Sequence, residues 1–243
     1  MKGHGVERSE ITARIENRLP PDILDQPGEV LYIPWSSLRQ GRFYFLGLNP
    51  GGDPKDSSNE GLVRTISDSL DLIPADWTGE DHIDEGSRGL PPGKPRLQKN
   101  VRAIIAATGQ EPSDVFSVNA IFLRTPDSKG LSDLDPRTLW KDHFWPIHQM
   151  FLEVVKPDVI VCLGNGAGLS SWSLLLERAE ERPCPKVTDL GYLEGKFADG
   201  VTLPLGSHQL WNGQVVGAPH PSRFPPREPV LEWLRRFASN RAD

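Results

Sequence analysis

The stretch Phe43-Tyr44-Phe45-Leu46-Gly47-Leu48-Asn49-Pro50-Gly51-Gly52 decides the reading of this chain. Its apolar run does not alternate with polar residues, the pattern of a strand covered on both faces in a parallel sheet. The run then stops at glycine, asparagine and proline, which favour a turn over further strand. A second stretch of the same kind lies far downstream: Val215-Val216-Gly217-Ala218-Pro219 runs into His220-Pro221-Ser222-Arg223-Phe224. Each reads as a buried strand ending in a turn that carries one polar side chain suited to chemistry. If the two strands are neighbours in one parallel sheet, Asn49 and His220 meet in a crevice at the strands' carboxyl ends, where open α/β sheets bind ligands.

Working outward, the pattern alternates between helix and strand. Residues 42–48 are the first strand, 50–60 a loop, and 61–72 a short helix. Residues 74–96 form a long loop, and long loops inside compact domains are often functional. Residues 97–108 read as a helix with Val101, Ile104 and Ile105 on one face and Gly109 as its stop. A strand over 115–122 follows, then a helix over 136–155 that Pro146 kinks or splits. The remaining elements are a strand over 157–163, a helix over 167–180, irregular or hairpin structure over 186–212, a last strand over 214–218 and a last helix over 229–239. Strands alternating with helices imply an α/β fold, a central mostly parallel four-stranded sheet flanked by helices on both faces. Residues 1–40 read as an N-terminal extension with one short helix over 10–18 and a wrapping segment. Residues 41–243 read as one α/β domain.

Composition limits the function classes. The 243 residues carry 27 basic and 33 acidic side chains, a formal charge of −6, which argues against non-specific nucleic-acid binding by the whole surface but not against a local basic groove. Two cysteines, Cys162 and Cys184, cannot alone make a four-ligand zinc or iron–sulfur site. No long apolar segment suits a membrane span, and the charged N-terminus lacks an apolar signal region. The expectation is an intracellular protein of the cytoplasm, nucleoid or nucleus, monomeric, with no metal, no cofactor and no membrane partner.

Three side chains are candidates for chemistry. Asn49 is either a turn former or an amide that positions a water or a substrate oxygen. His220, between two prolines that restrict the backbone, is either structural or a neutral imidazole donating to a developing anion. Asn119 interrupts the apolar run Val115-Phe116-Ser117-Val118-Asn119-Ala120-Ile121-Phe122. It is either a satisfied core amide or a donor–acceptor pair reading a planar ligand edge. Gly164-Asn165-Gly166-Ala167-Gly168 lacks dinucleotide spacing and reads as a tight strand–helix turn.

Together these residues resemble the uracil-DNA glycosylase superfamily. Gly47-Leu48-Asn49-Pro50-Gly51 is similar to the first motif, Gly-x-Asn-Pro-Gly, of its mismatch-specific and single-strand-selective branches. His220-Pro221-Ser222 is similar to the second motif, and Ser117-Val118-Asn119-Ala120 to the strand whose Asn reads uracil. The run 157–164 is similar to the fourth-strand region. The likeness covers roughly residues 40–240, in the expected order.

It implies a glycosylase that hydrolyses the N-glycosidic bond of a deaminated base, most simply uracil, flipped out of DNA. Asn49 would orient water, His220 would stabilise the leaving base, and Asn119 would bond the pyrimidine edge. Gly47, Leu48, Pro50, Gly51 and Ser222 would complete the substrate site. Arg223 would hold a phosphate, with Phe224 as a wedge in the base stack or, alternatively, packed under the last helix near Trp233 and Phe237. A glycosylase should have an open basic track beside the pocket, with Arg124, Lys129, Arg223, Arg227 and the 88–102 segment as its candidates, whereas a small-molecule enzyme should have a closed pocket.

The sequence departs from the family in four ways. The loop after Pro50 matches no particular branch, Arg223-Phe224 replaces a small or Leu-containing wedge, the cysteines of the iron–sulfur branches are missing, and the charge balance is acidic. A catalytically weak relative that binds nucleic acid or a nucleotide, and a hydrolase of RNA or a nucleoside, are the alternatives.

Overall fold

The computed structural model describes residues 8–31, 35–54, 64–71, 94–181, 184–206 and 209–240. Most of the long loop expected over 74–96 lies outside these residues, as does the first part of the 88–102 basic segment.

The apolar runs form the strands they predict. β1 is Phe43–Gly47, β2 Phe116–Asn119, β3 Val159–Leu163, and all three are buried along their length. β4 is Lys186–Asp189, β5 Lys196–Pro204 and β6 Leu210–Ala218. They make one six-stranded sheet in the order β2-β1-β3-β6-β5-β4. β2, β1, β3 and β6 are mutually parallel, whereas β5 runs antiparallel to β6 and β4 antiparallel to β5. The sheet is therefore mixed and two strands wider than the sequence reading had it. Residues 186–212 supply the additional width as a hairpin, with a register shift between Ala198 and Val201.

The side-chain period of two divides each parallel strand between two cores. Phe43 and Phe45, Val159 and Val161, and Val216 and Ala218 pack with helix α4 (Arg96–Ala107) and helix α9 (Glu228–Ser239). Tyr44, Leu46, Phe116, Val118, Ile160, Cys162 and Val215 face the other core. That core takes in helices α1 (Arg8–Glu16), α2 (Pro21–Leu24) and α3 (Ile66–Asp71), through residues such as Ile11, Ile23 and Ile66. Helices α7 (Trp145–Val155) and α8 (Ser171–Leu176) complete it. Helices thus cover both faces. The segment before β1 is tied to the sheet as well, with Leu31 bridging Val118 and Gly28 bridging Leu123.

Helix α5 is Ser128–Ser132, and α6 is Pro136–Leu139. A π-helical turn, Trp140–Phe144, separates α6 from α7, and Pro146 sits in the first turn of α7. A proline is tolerated there because that N–H has no partner inside the helix. The expected split over 136–155 therefore falls just before the proline.

Among the parallel strands the chain passes from β1 to β2 on one side, then back to β3 on the other. The connections diverge between β1 and β3, the position at which open α/β sheets leave a crevice.

Candidate active site

Asn49 lies two residues beyond β1 and is half-buried. Its amide nitrogen donates to the Pro50 carbonyl at 2.9 Å, to Thr125 Oγ1 at 2.9 Å and to the Leu123 carbonyl at 3.4 Å. Carbonyl oxygens only accept, so this end of the side chain is the NH2. Thr125 passes its own hydroxyl proton to the Asp127 carbonyl at 3.0 Å. Nothing among the described residues donates to Asn49 Oδ1, which remains available as an acceptor.

The loop that carries Asn49 is fastened to the segment after β2. Ile121 N–H donates to the Leu48 carbonyl at 2.9 Å, and Thr125 N–H to the Pro50 carbonyl at 3.3 Å. The Arg124 guanidinium bonds the Gly51 carbonyl and pairs with Glu29 at 3.5 Å, where both side chains are nearly buried. Arg124 is therefore not part of an open basic track. A carboxylate from the segment before β1 neutralises it, and it holds the loop.

Asn119 does not interrupt its strand. It is the last residue of β2, in register with Gly47, the last residue of β1. It is 8% exposed, and no described residue hydrogen-bonds its side-chain amide. Its amide atoms are not among the fully buried unpartnered ones, so they open onto the crevice rather than into the core. A methyl group at position 47 would overlap Asn119 Oδ1, so the absence of a side chain at Gly47 leaves room for the Asn119 amide to lie across it.

His220 follows β6 by two residues. β1 and β6 are not neighbours, because β3 lies between them. Two strand spacings of about 4.8 Å separate their ends by roughly 10 Å. Gly164 follows β3 with φ +153, and a Cβ placed there would lie in ordinary contact distance of His220 Cδ2, so this turn borders the imidazole.

Ser222 N–H reaches His220 Nδ1 at 3.3 Å, and the Ser222 hydroxyl lies 2.7 Å from the same atom. A backbone N–H can only donate, so Nδ1 is the acceptor and the proton of the neutral ring sits on Nε2. Burial, and then the nearby Arg223 charge, hold the imidazole below the ordinary histidine value and favour this neutral form. Nε2–H has no acceptor among the described residues.

Two buried asparagines that the sequence reading did not single out hold the surrounding turns. Asn100, on α4, donates to the Pro221 carbonyl at 2.6 Å and the Phe224 carbonyl at 3.1 Å, clamping the turn after His220. Its position on the apolar face of a helix, one turn before Ile104, was the available signal. Asn165 is fully buried and donates to the Tyr192 carbonyl at 3.0 Å and the Gly217 carbonyl at 3.1 Å. It joins the turn between β4 and β5 to the end of β6. The residues around it form a longer linker than the tight turn expected, residues 164–170, and the helix expected over 167–180 is confined to Ser171–Leu176, where the Ser170 cap starts it.

Phe224 does not pack under the last helix. Its ring meets Tyr192 edge-on at 5.6 Å, while Trp233 and Phe237 stack on each other at 5.3 Å. Beside Phe224, exposed Lys94, Arg96 and Lys99 line an open depression of about 440 Å³ with Asn100 and Pro225. Lys129, Arg223 and Arg227 are exposed as well.

Among the described residues no three His, Cys, Asp or Glu side chains converge as a metal site, and no helix is long and apolar enough to cross a membrane. The sequence matches no family model and no curated protein, so the site is characterised by its own geometry.

Proposed function

We propose that this protein hydrolyses the N-glycosidic bond of a deaminated base in DNA, with uracil as its simplest substrate, and that its fold is of the uracil-DNA glycosylase type. One observation carries the reading. Three polar side chains stand at the carboxyl ends of β2, β1 and β6, and each leaves unpartnered the atoms this reaction needs. Its transition state joins positive charge on the sugar to negative charge on the departing base.

Asn49 is anchored through its NH2, so its Oδ1 accepts a proton of the attacking water and orients it. An amide is too weak a base to remove that proton early, which leaves stabilisation of the leaving group as the larger contribution. His220 supplies it through Nε2–H, a donor already in place because Nδ1 is committed to Ser222. The Asn119 amide can donate to one uracil carbonyl and accept from the ring N–H. Cytosine offers an amino group and a bare ring nitrogen at those positions, which leaves the amide mismatched.

The test is strand cleavage after incubation with single- and double-stranded oligonucleotides containing uracil, hypoxanthine or xanthine. Uracil release is expected. His220→Ala is expected to slow it roughly a hundredfold, the loss of one leaving-group donor worth about 3 kcal/mol. Asn49→Ala is expected to slow it as well. Release of none of the three bases, or full activity in both variants, overturns the proposal.

A further inference from the structure

The segment before β1 reads as an extension, yet the structure seats it beside the loop that carries Asn49. Leu31 bridges Val118 and Gly28 bridges Leu123, both antiparallel, so residues 28–31 run along the outer edge of β2 and past its end. Glu29 N–H donates to the Phe122 carbonyl at 2.8 Å, and Arg124 N–H to the Pro27 carbonyl at 2.8 Å. On the other side, Gly28 N–H donates to the Arg64 carbonyl at 2.9 Å and Val30 N–H to the Ser69 hydroxyl at 3.3 Å. No side chain fits at Gly28, because a Cβ there would overlap the Phe122 carbonyl oxygen and Ile66. Backbone contacts on both sides therefore fix the register of the segment, and that register delivers Glu29 to one place.

The Glu29 carboxylate faces the Arg124 guanidinium at 3.5 Å, with 12% and 13% of the respective side chains exposed. The same guanidinium bonds the Gly51 carbonyl, two residues beyond Asn49. Gly52, next in the loop, has φ +102, and a Cβ on it would sit 3.4 Å from that guanidinium. A guanidinium serves two acceptors at once because its N–H groups form a rigid fork. Glu29 holds one prong, so the other is aimed at Gly51. The Asn49 NH2 donates to the Pro50 carbonyl, so a shift of this backbone carries the amide with it.

We propose that Glu29 is a positioning residue of the crevice: through Arg124 it fixes the loop from Asn49 to Gly51, which makes the segment before β1 a working part of the site. Only the reaction that Asn49 serves rests on the proposed glycosylase reading; the clamp stands on the contacts alone.

The test combines amide hydrogen exchange with steady-state kinetics on a single-stranded uracil oligonucleotide, using the full chain. Glu29→Gln keeps the shape and removes the charge. In it Thr125 N–H, bonded to the Pro50 carbonyl at 3.3 Å, is expected to exchange about tenfold faster, as the loop opens locally. Ala120 N–H, bonded to the Gly47 carbonyl at 3.0 Å on the sheet side of the loop, is expected to keep its rate. kcat is expected to fall about tenfold with KM within about twofold, because a misplaced group alters the reacting geometry and not the binding contacts. Glu29→Asp retains the carboxylate and is expected to recover most of kcat.

A merely structural ion pair behaves differently. Removing Glu29 alone leaves a guanidinium in a poorly hydrated place, and replacing both partners with uncharged side chains relieves that. Glu29→Gln with Arg124→Met should therefore regain the urea midpoint while Thr125 exchange stays fast and kcat stays low, since Gly51 still lacks its donor. Recovery of kcat together with stability overturns the proposal, as does parental Thr125 exchange in Glu29→Gln. An active parent whose kcat is unchanged in Glu29→Gln sinks the clamp and leaves the glycosylase reading intact. Faster Thr125 exchange in Glu29→Gln, beside a parent that releases no base, keeps the clamp and sinks the glycosylase reading.

Discussion

At the scale of single residues, the site depends on atoms left without partners and on the neighbours that enforce this. Gly47 and Asn119 are the tightest such pair. Gly47→Ala would press a methyl group into Asn119 Oδ1 within a register fixed by both strand ends. The expected cost is about 1–3 kcal/mol of stability, as for other overpacked sites. Asn119→Ala removes the obstructing atom, so the double variant should recover most of that loss. Additive losses in urea unfolding would show that the two positions do not meet. His220 gives a second residue-scale expectation. A proton on Nδ1 would set two donors against each other at Ser222 and release the ring. Burial and Arg223 hold the histidine below its ordinary 6.5, so the acid limb of kcat should lie below that pH. Arg223→Gln removes one of the two causes, and its acid limb should move to higher pH. A limb that stays in place assigns the shift to burial alone.

At the scale of elements, α7 and β2 are joined by a histidine no part of the mechanism uses. His148 Nδ1 lies 2.6 Å from the hydroxyl of Tyr44 on β1, and Nε2 lies 3.3 Å from the Ala120 carbonyl, just past Asn119. The carbonyl can only accept, so Nε2 is protonated and Tyr44 donates to Nδ1. Burial pushes the His148 pKa from 6.5 down to about 3. The folded protein therefore resists a proton that the unfolded chain accepts. Stability from this residue is intact above pH 6.5 and falls by about 1.4 kcal/mol per pH unit from there towards pH 3. His148→Gln should be less stable at pH 7 but lose about 2 kcal/mol less than the parent between pH 6.5 and 5. Parallel stability curves for the two proteins, by urea unfolding, would place the pH sensitivity elsewhere. How far elements can be read from sequence follows from the same burial. β1, β3 and the end of β6 are apolar on both faces and announce themselves, as does α4 through Val101, Ile104 and Ile105. β4 is exposed along its whole length and carries Lys186 and Asp189, so nothing in its composition separates it from a loop. The π-helical turn at Trp140–Phe144 keeps helical spacing closely enough to hide inside the helical pattern.

At the scale of the whole molecule, sequence showed that two turns carry polar groups but not which strands stand between them. Asn49 and His220 each read locally, because each ends an apolar run. Placing β3 between them depends on a crossover, and no local pattern encodes strand order. Charge was legible as a total and not as a distribution: Arg124 pairs with Glu29, while Lys94, Arg96 and Lys99 stay exposed on one side. The sheet also divides into two parts. The four parallel strands carry Asn119, Asn49 and His220 at their ends, while β4, β5 and their turn hang on the far edge of β6. Val187, Leu190, Tyr192 and Leu193 there are all exposed, and the turn reaches the crevice at Tyr192, through its carbonyl on Asn165 and its ring against Phe224. Length and composition at that tip can therefore drift without disturbing the proposed hydrolytic centre. A lineage carrying this fold can retune the hairpin while inheriting unchanged what the parallel strands hold in place.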